Sequence, residues 1–169
     1  MELQKFDKDM SLVERLKAKK SIAITGDAAL ILDISGSMNS DCEPGKTKMQ
    51  ALRDVIGGLQ GDPAVIIFSY DARLATKNTI PLHGTGGTCM AKAINLAKSQ
   101  GFQRAVMITD GEANDPNETI EAVRNFDLKI LYVGPGPKPP FLDRISKDAS
   151  QEDLKAQKNL TAKVQLLLK

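Results

Sequence analysis

The sequence predicts an α/β fold: a doubly wound, mainly parallel sheet with one antiparallel edge strand and helices on both faces. Three observations lead there. From residue 21 to about residue 150, apolar β-type runs alternate with stretches of helical periodicity, the order that builds parallel strands with covering helices. Several of the β-type runs are unbroken, as expected when both faces of a strand are buried. Two of them end on an aspartate, at the edge where such sheets hold their ligands.

In chain order, Ser11 and Glu14 make a capping box that starts a short helix in an N-terminal extension over residues 1–20. Strands are expected at Ser21–Thr25, Ala28–Ile34, Ala64–Tyr70, Asn78–Leu82, Arg104–Thr109 and Leu128–Val133. Pro81 places the fourth of these on an edge, because proline donates nothing to a ladder. Met49, Leu52, Val55, Ile56 and Leu59 form one helical stripe, Met90, Ile94 and Ala97 a second, and Ile120, Val123 and Phe126 a third. All three stripes are core. The third helix has a marked start, with Asp115 as its cap, Pro116 in its first position and Glu118 completing a capping box. The run GPGPKPP ending at Pro140 is a loop, and beyond it no final strand is legible. Leu160, Val164, Leu167 and Leu168 return to helical spacing, so residues 151–169 are expected to dock as an amphipathic helix. No repeat or linker divides the chain, which is read as one domain over residues 1–169 with its α/β core at 21–150.

The bulk composition narrows the function classes. With 41% hydrophobic and 26% charged residues, the chain can build one sizeable core. Its 23 Lys and Arg against 21 Asp and Glu leave a formal charge of +2, too little to draw it to nucleic acid or to anionic membranes. No apolar run approaches the roughly 20 residues of a bilayer span, and the first 20 residues lack the apolar centre of a signal peptide. A cytoplasmic location is expected. The two cysteines, Cys42 and Cys89, make no disulfide framework, and no Cys/His cluster suggests zinc.

The chemistry gathers at strand ends. Asp33-Ile34-Ser35-Gly36-Ser37 follows directly on the apolar run AALIL, and Asp110 ends the buried run AVMIT. If those strands are neighbours where the strand order reverses, the two carboxylates share one crevice and repel unless a cation lies between them. Ser35 and Ser37 add neutral oxygens, a set that suits magnesium or manganese. Residues 84–88, Gly-Thr-Gly-Gly-Thr, open the next helix and offer Thr88 as a further hydroxyl on a closely approaching glycine backbone.

On these residues the chain resembles the von Willebrand factor type A family, whose metal-ion-dependent adhesion site combines DxSxS, a threonine of a later loop and an aspartate at another strand end. The resemblance covers roughly residues 27–134 and matches all five positions. It implies Ser35, Ser37 and Thr88 as hydroxyl ligands of Mg2+ or Mn2+, and Asp33 and Asp110 as carboxylates that bind the ion directly or through water. Thr85 competes with Thr88, which is preferred because it follows Gly86-Gly87 and heads the second helical stripe. The stretch KKSIAITGDAALILDISGSM also resembles bacterial tellurite-resistance and stress-response members, which implies a cytosolic role. The function so implied is a protein-binding module in which a partner's Asp or Glu completes the metal's coordination. Its rim would be the loop from Asn39 to Lys46, the turn after Asp110, and Tyr70 to Arg73.

Other readings fare less well. A metal-dependent hydrolase would need a general base that is not visible, and a scaffold with a purely structural ion is a further alternative. Gly45-Lys46-Thr47 sits where a P-loop lysine would, but Ser40 stands where its first glycine belongs. A dehalogenase-type phosphatase would need an acid where Ser35 stands. The single histidine, His83, has no supporting pattern and reads as a loop or edge residue. Cys89 lies at a helix start, where the dipole could lower a thiol pKa, yet a small buried residue is the commoner use of such a cysteine. Both thiols would fall near the proposed metal face, where a redox switch is the less favoured alternative.

Overall fold

The computed structural model describes residues 28–169. The helix expected around Ser11 and Glu14 and the strand expected at residues 21–25 lie outside the described residues. Among the described residues eight strands and five helices follow one another: β1 Ala28–Asp33, β2 Asp41–Glu43, β3 Lys46–Thr47, α1 Lys48–Gly57, β4 Val65–Phe68, β5 Ala72–Ala75, α2 Met90–Ser99, β6 Arg104–Thr109, α3 Pro116–Ala122, β7 Asp127–Tyr132, α4 Pro140–Ile145, β8 Asp148–Gln151 and α5 Gln157–Leu167. A short 3-10 turn, Gly36–Asn39, follows β1.

Six strands make one sheet in the order β5-β4-β1-β6-β7-β8, parallel throughout except for β5. The expected fold class holds. The chain winds from β1 to β4 on one side and returns to β6 on the other, so the strand order reverses between β1 and β6, which pair directly from Ala28↔Arg104 to Leu32↔Ile108. Their carboxyl ends therefore open the crevice in which doubly wound sheets hold ligands.

Alternation along the strands sorts side chains into two cores. Leu30 and Leu32 of β1, with Val106 and Ile108 of β6, face α1 and α5 through Leu52, Val55, Leu160 and Val164. Ala29 and Ile31, with Met107 and Ile130, face α2, α3 and α4 through Ile94, Ala97, Ala122 and Leu142. The first two helical stripes are buried as expected. The C-terminal helix docks on α1, where Thr161 donates its hydroxyl to the Val55 carbonyl at 3.0 Å.

Several local expectations are corrected. Residues 78–82 form no strand, and the antiparallel edge is β5 instead. Phe68 pairs with Ala72 across a three-residue hairpin, and a Thr76–Thr79 turn then closes the edge with bonds of 2.9 and 3.1 Å. Beyond Pro140 the chain makes both α4 and β8, whose DASQ sequence has no apolar run because it is a half-exposed edge. The loop after β1 is partly ordered as the antiparallel pair β2–β3, turning at Gly45 with φ +78°. The third helix stops at Ala122, so Val123 and Phe126 pack on the core from beyond its end. Asp115 holds the N-cap position and Pro116 the first position as expected, but no capping box forms: the Asp115 side chain accepts from the Met90 and Ala91 N–H groups of α2 at 3.1 Å each rather than from an N–H of its own helix.

Candidate metal centre

Four of the five expected site residues, Asp33, Ser35, Ser37 and Asp110, come together where β1 and β6 end. Asp33, the last residue of β1, is fully buried and accepts from the Ser35 N–H at 2.8 Å and the Thr109 hydroxyl at 2.7 Å. The Ser35 and Ser37 hydroxyl oxygens lie 3.0 Å apart, and Ser37 donates to Asp110 Oδ1 at 2.8 Å. One hydrogen-bonded chain thus joins four of the five predicted residues. Burial pushes the Asp33 carboxyl up from 3.8 to about 6, with the Asp110 charge adding to the rise while the Ser35 and Thr109 hydroxyls and the Ser35 N–H pull it down.

The fifth residue, Thr88, is buried on the facing loop, and its backbone is fixed by Asn114: the Thr88 N–H donates to Asn114 Oδ1 at 2.5 Å and the Asn114 N–H to the Thr88 carbonyl at 2.8 Å. Four bonds lace that loop to the turn carrying the serines. Gly36 N–H donates to Gly86 O at 3.0 Å and Thr85 N–H to Ile34 O at 2.8 Å. Asn39 accepts from Gly84 N–H at 2.7 Å and donates to its carbonyl at 2.8 Å. A methyl on Gly84 would overlap the Ile34 and Ser35 carbonyl oxygens, which is the physical reason for glycine there. Thr85, the alternative ligand, is exposed, whereas Thr88 is buried.

Sequence reasoning missed Lys48. This first residue of α1 is buried, and its ammonium pairs with Asp110 Oδ2 at 2.8 Å and reaches the Ser37 carbonyl at 3.5 Å. A cation at a helix N-terminus opposes the dipole, a local anomaly that could have flagged it. Lys48 also lines an open cleft of about 600 Å³ with Asp41, Cys42, Gly134 and Glu152. Thr109, too, was missed, because its role appears only when β6 lies beside β1.

The donor set fits a hard cation. An octahedron with metal–oxygen bonds of about 2.1 Å sets adjacent oxygens about 3.0 Å apart, and the two serine hydroxyls have that spacing. Among the described residues no three His, Cys, Asp or Glu side chains cluster around a possible ion, so a cation here would rest on hydroxyls with a carboxylate on either side.

The competing motifs resolve differently. Lys46 forms a surface pair with Asp54 at 2.8 Å, and His83 is an exposed loop residue. Burial, then the Asp115 charge, pushes the Cys89 thiol up, opposite to the activation a bare helix end would give. Burial likewise raises the Cys42 thiol, with Glu43 adding to it.

Comparison with solved structures identifies the architecture. A von Willebrand factor type A protein of Catenulispora acidiphila superimposes with a TM-score of 0.65 at 21% identity, over 86% of this chain and 42% of that one. The fold is that of von Willebrand factor type A domains. An aerotolerance-related membrane protein of Bacteroides fragilis, carrying multiple mutations to serine, matches at a TM-score of 0.55 and 16% identity, over 83% of this chain and 98% of its own. The PilB minor pilin of Streptococcus sanguinis gives 0.51 at 14% identity, covering 86% of this chain and 63% of the pilin. By sequence, the chain is 26% identical over 153 residues to the bifunctional protein GlmU of Paracidovorax citrulli. That similarity spans 80% of this chain but 32% of GlmU. No family model matches. Among the described residues no helix of this von Willebrand factor type A fold is long and apolar enough to cross a membrane.

Proposed function

We propose that this domain is a cation-dependent protein-binding module, in which Mg2+ or Mn2+ is held by Ser35, Ser37 and Thr88 with Asp33 and Asp110. The observation that carries the reading is the pair of hydroxyls 3.0 Å apart, flanked by two carboxylates, at the point where the strand order reverses. The ion, when bound, supplies an electrophilic position for an Asp or Glu of a partner protein. The chain's own residues prepare that position. Thr109 and the Ser35 N–H hold Asp33 in one orientation, Ser37 and Lys48 hold Asp110 by opposite oxygens, and the laced loops fix the backbone beneath Thr88. Tyr70, exposed and packed over Gly86 and Gly87, and the β2–β3 hairpin form the rim that selects the partner. The resemblance of residues 19–38 to tellurite-resistance and stress-response proteins is the basis for a cytoplasmic setting.

The Lys48–Asp110 pair favours a second reading, a scaffold whose carboxylate is balanced without any metal. Titrating Mn2+ calorimetrically into the protein and into Ser35→Ala separates them, with circular dichroism reporting on the fold. The module reading expects saturable binding that is lost in the variant, and a partner captured in Mg2+ but released by chelator. Equal heats from both proteins would reject the site, while phosphate-ester turnover abolished by Ser35→Ala would replace binding with hydrolysis.

A further inference from the structure

Lys48 breaks a local rule at a cost. Its ammonium sits in the first turn of α1, where the helix dipole repels positive charge, and it is withdrawn from water there. Asp110 is equally buried, with side-chain exposures of 8% for the lysine and 1% for the aspartate. A buried ion pair of this kind seldom adds net stability over apolar residues of the same shape. Such violations concentrate where a site has another use for the group.

The geometry says what that use is. Lys48 binds Asp110 through Oδ2, whereas Ser37 binds it through Oδ1, and the two bonds of Lys48 go to that oxygen and to the Ser37 carbonyl. The ammonium therefore engages the carboxylate oxygen that Ser37 does not, and neither of its two bonds goes to the Ser35 or Ser37 hydroxyl. Resting on the cation-site reading above, we propose that Lys48 is the charge-setting residue of the site: it weakens the hold on the divalent cation and strengthens the loaded site's hold on an incoming carboxylate.

The effect is one of charge. By formal charge, two aspartates and one lysine leave the empty site with a single negative charge. A divalent cation turns that into a single positive charge, which a partner carboxylate cancels. Without Lys48 the loaded site is already neutral and has little electrostatic reason to bind an anion. In a partly dehydrated crevice these differences are far larger than in water.

The test compares the protein with Lys48→Met, which keeps the length of the buried stem, and Lys48→Arg, which keeps the charge. Mn2+ affinity is read by calorimetry, thermal denaturation with and without Mn2+ checks the fold, and acetate added to the Mn2+-loaded protein probes the open position through the manganese resonance. Lys48→Met should bind Mn2+ at least tenfold more tightly and acetate at least tenfold more weakly, while Lys48→Arg stays near the parent. A parent that binds no Mn2+ beside a Lys48→Met variant that does would mean that the ammonium takes the cation's place outright, and both the cation-module reading and this inference would fall. If Lys48→Met binds Mn2+ no more tightly than the parent while Ser35→Ala still abolishes binding, the cation site stands and the charge-setting role of Lys48 falls. If neither the parent nor Lys48→Met binds Mn2+ at millimolar concentration, the cation-site reading itself fails and this inference with it.

Discussion

Asp33 makes the metal-free fold an acid-stabilised one, and Asp33→Asn measures by how much. Its carboxyl moves from an ordinary 3.8 to about 6 on folding, chiefly because it is buried. Two units at 1.36 kcal/mol each amount to about 3 kcal/mol. Since the folded value is the raised one, that stabilisation is complete below pH 3.8 and is lost as the pH climbs through 6. About half of it remains at pH 5 and almost none at pH 8. Asparagine cannot ionise, yet it keeps an acceptor for the Ser35 N–H and an amide for the Thr109 oxygen. In chelator, Asp33→Asn should therefore be roughly 2–3 kcal/mol more stable than the parent at pH 8 and nearly equal to it at pH 4. Urea unfolding followed by circular dichroism from pH 4 to pH 8 gives both curves, and the titrating groups that do not interact with Asp33 cancel in their difference. A variant no more stable than its parent at pH 8, or a gap that does not close towards pH 4, would refute the reasoning.

Two further outcomes follow from packing. Gly84→Ala forces a methyl against the Ile34 and Ser35 carbonyls, so it should lower the unfolding free energy by about 2 kcal/mol or more and weaken Mn2+ binding, as denaturant melts and calorimetry would record. Asp115→Ala removes the acceptor for two α2 N–H groups, while the Thr119 hydroxyl keeps the residue-115 carbonyl, and should cost about 1–2 kcal/mol, a fall of several degrees in Tm by differential scanning calorimetry. A Tm unchanged by Asp115→Ala would mean that water replaces the carboxylate without loss.

The elements that could be read from the residues are those whose environment is uniform. β1 and β6 are buried on both faces and written as unbroken apolar runs, so their ends, and with them Asp33 and Asp110, were legible. β5 and β8 are edges of four residues each, ARLA and DASQ, half wet and without an apolar period, so nothing local marked them. Asp115 shows a different limit. Local spacing assigned it to the helix that follows, but the start of α2 lies within its reach in the folded chain and takes both carboxylate oxygens. Lys48 was hidden for the same reason, because its partner belongs to a strand on the far side of the sheet's switch point.

The lacing between residues 34–39 and 84–88 divides the crevice mouth into a part that tolerates change in length and a part that does not. A single residue added between Gly84 and Gly86 would put the Asn39–Gly84 pair of bonds out of step with the Gly36–Gly86 bond. The β2–β3 hairpin, in contrast, turns at Gly45, where an added Cβ meets nothing within 4 Å, and it rejoins the frame at the Lys48 N–H to Ser40 carbonyl bond of 2.9 Å. Sequence diversity for a new binding specificity belongs in that hairpin, where loops of different length can be grafted onto an unaltered frame.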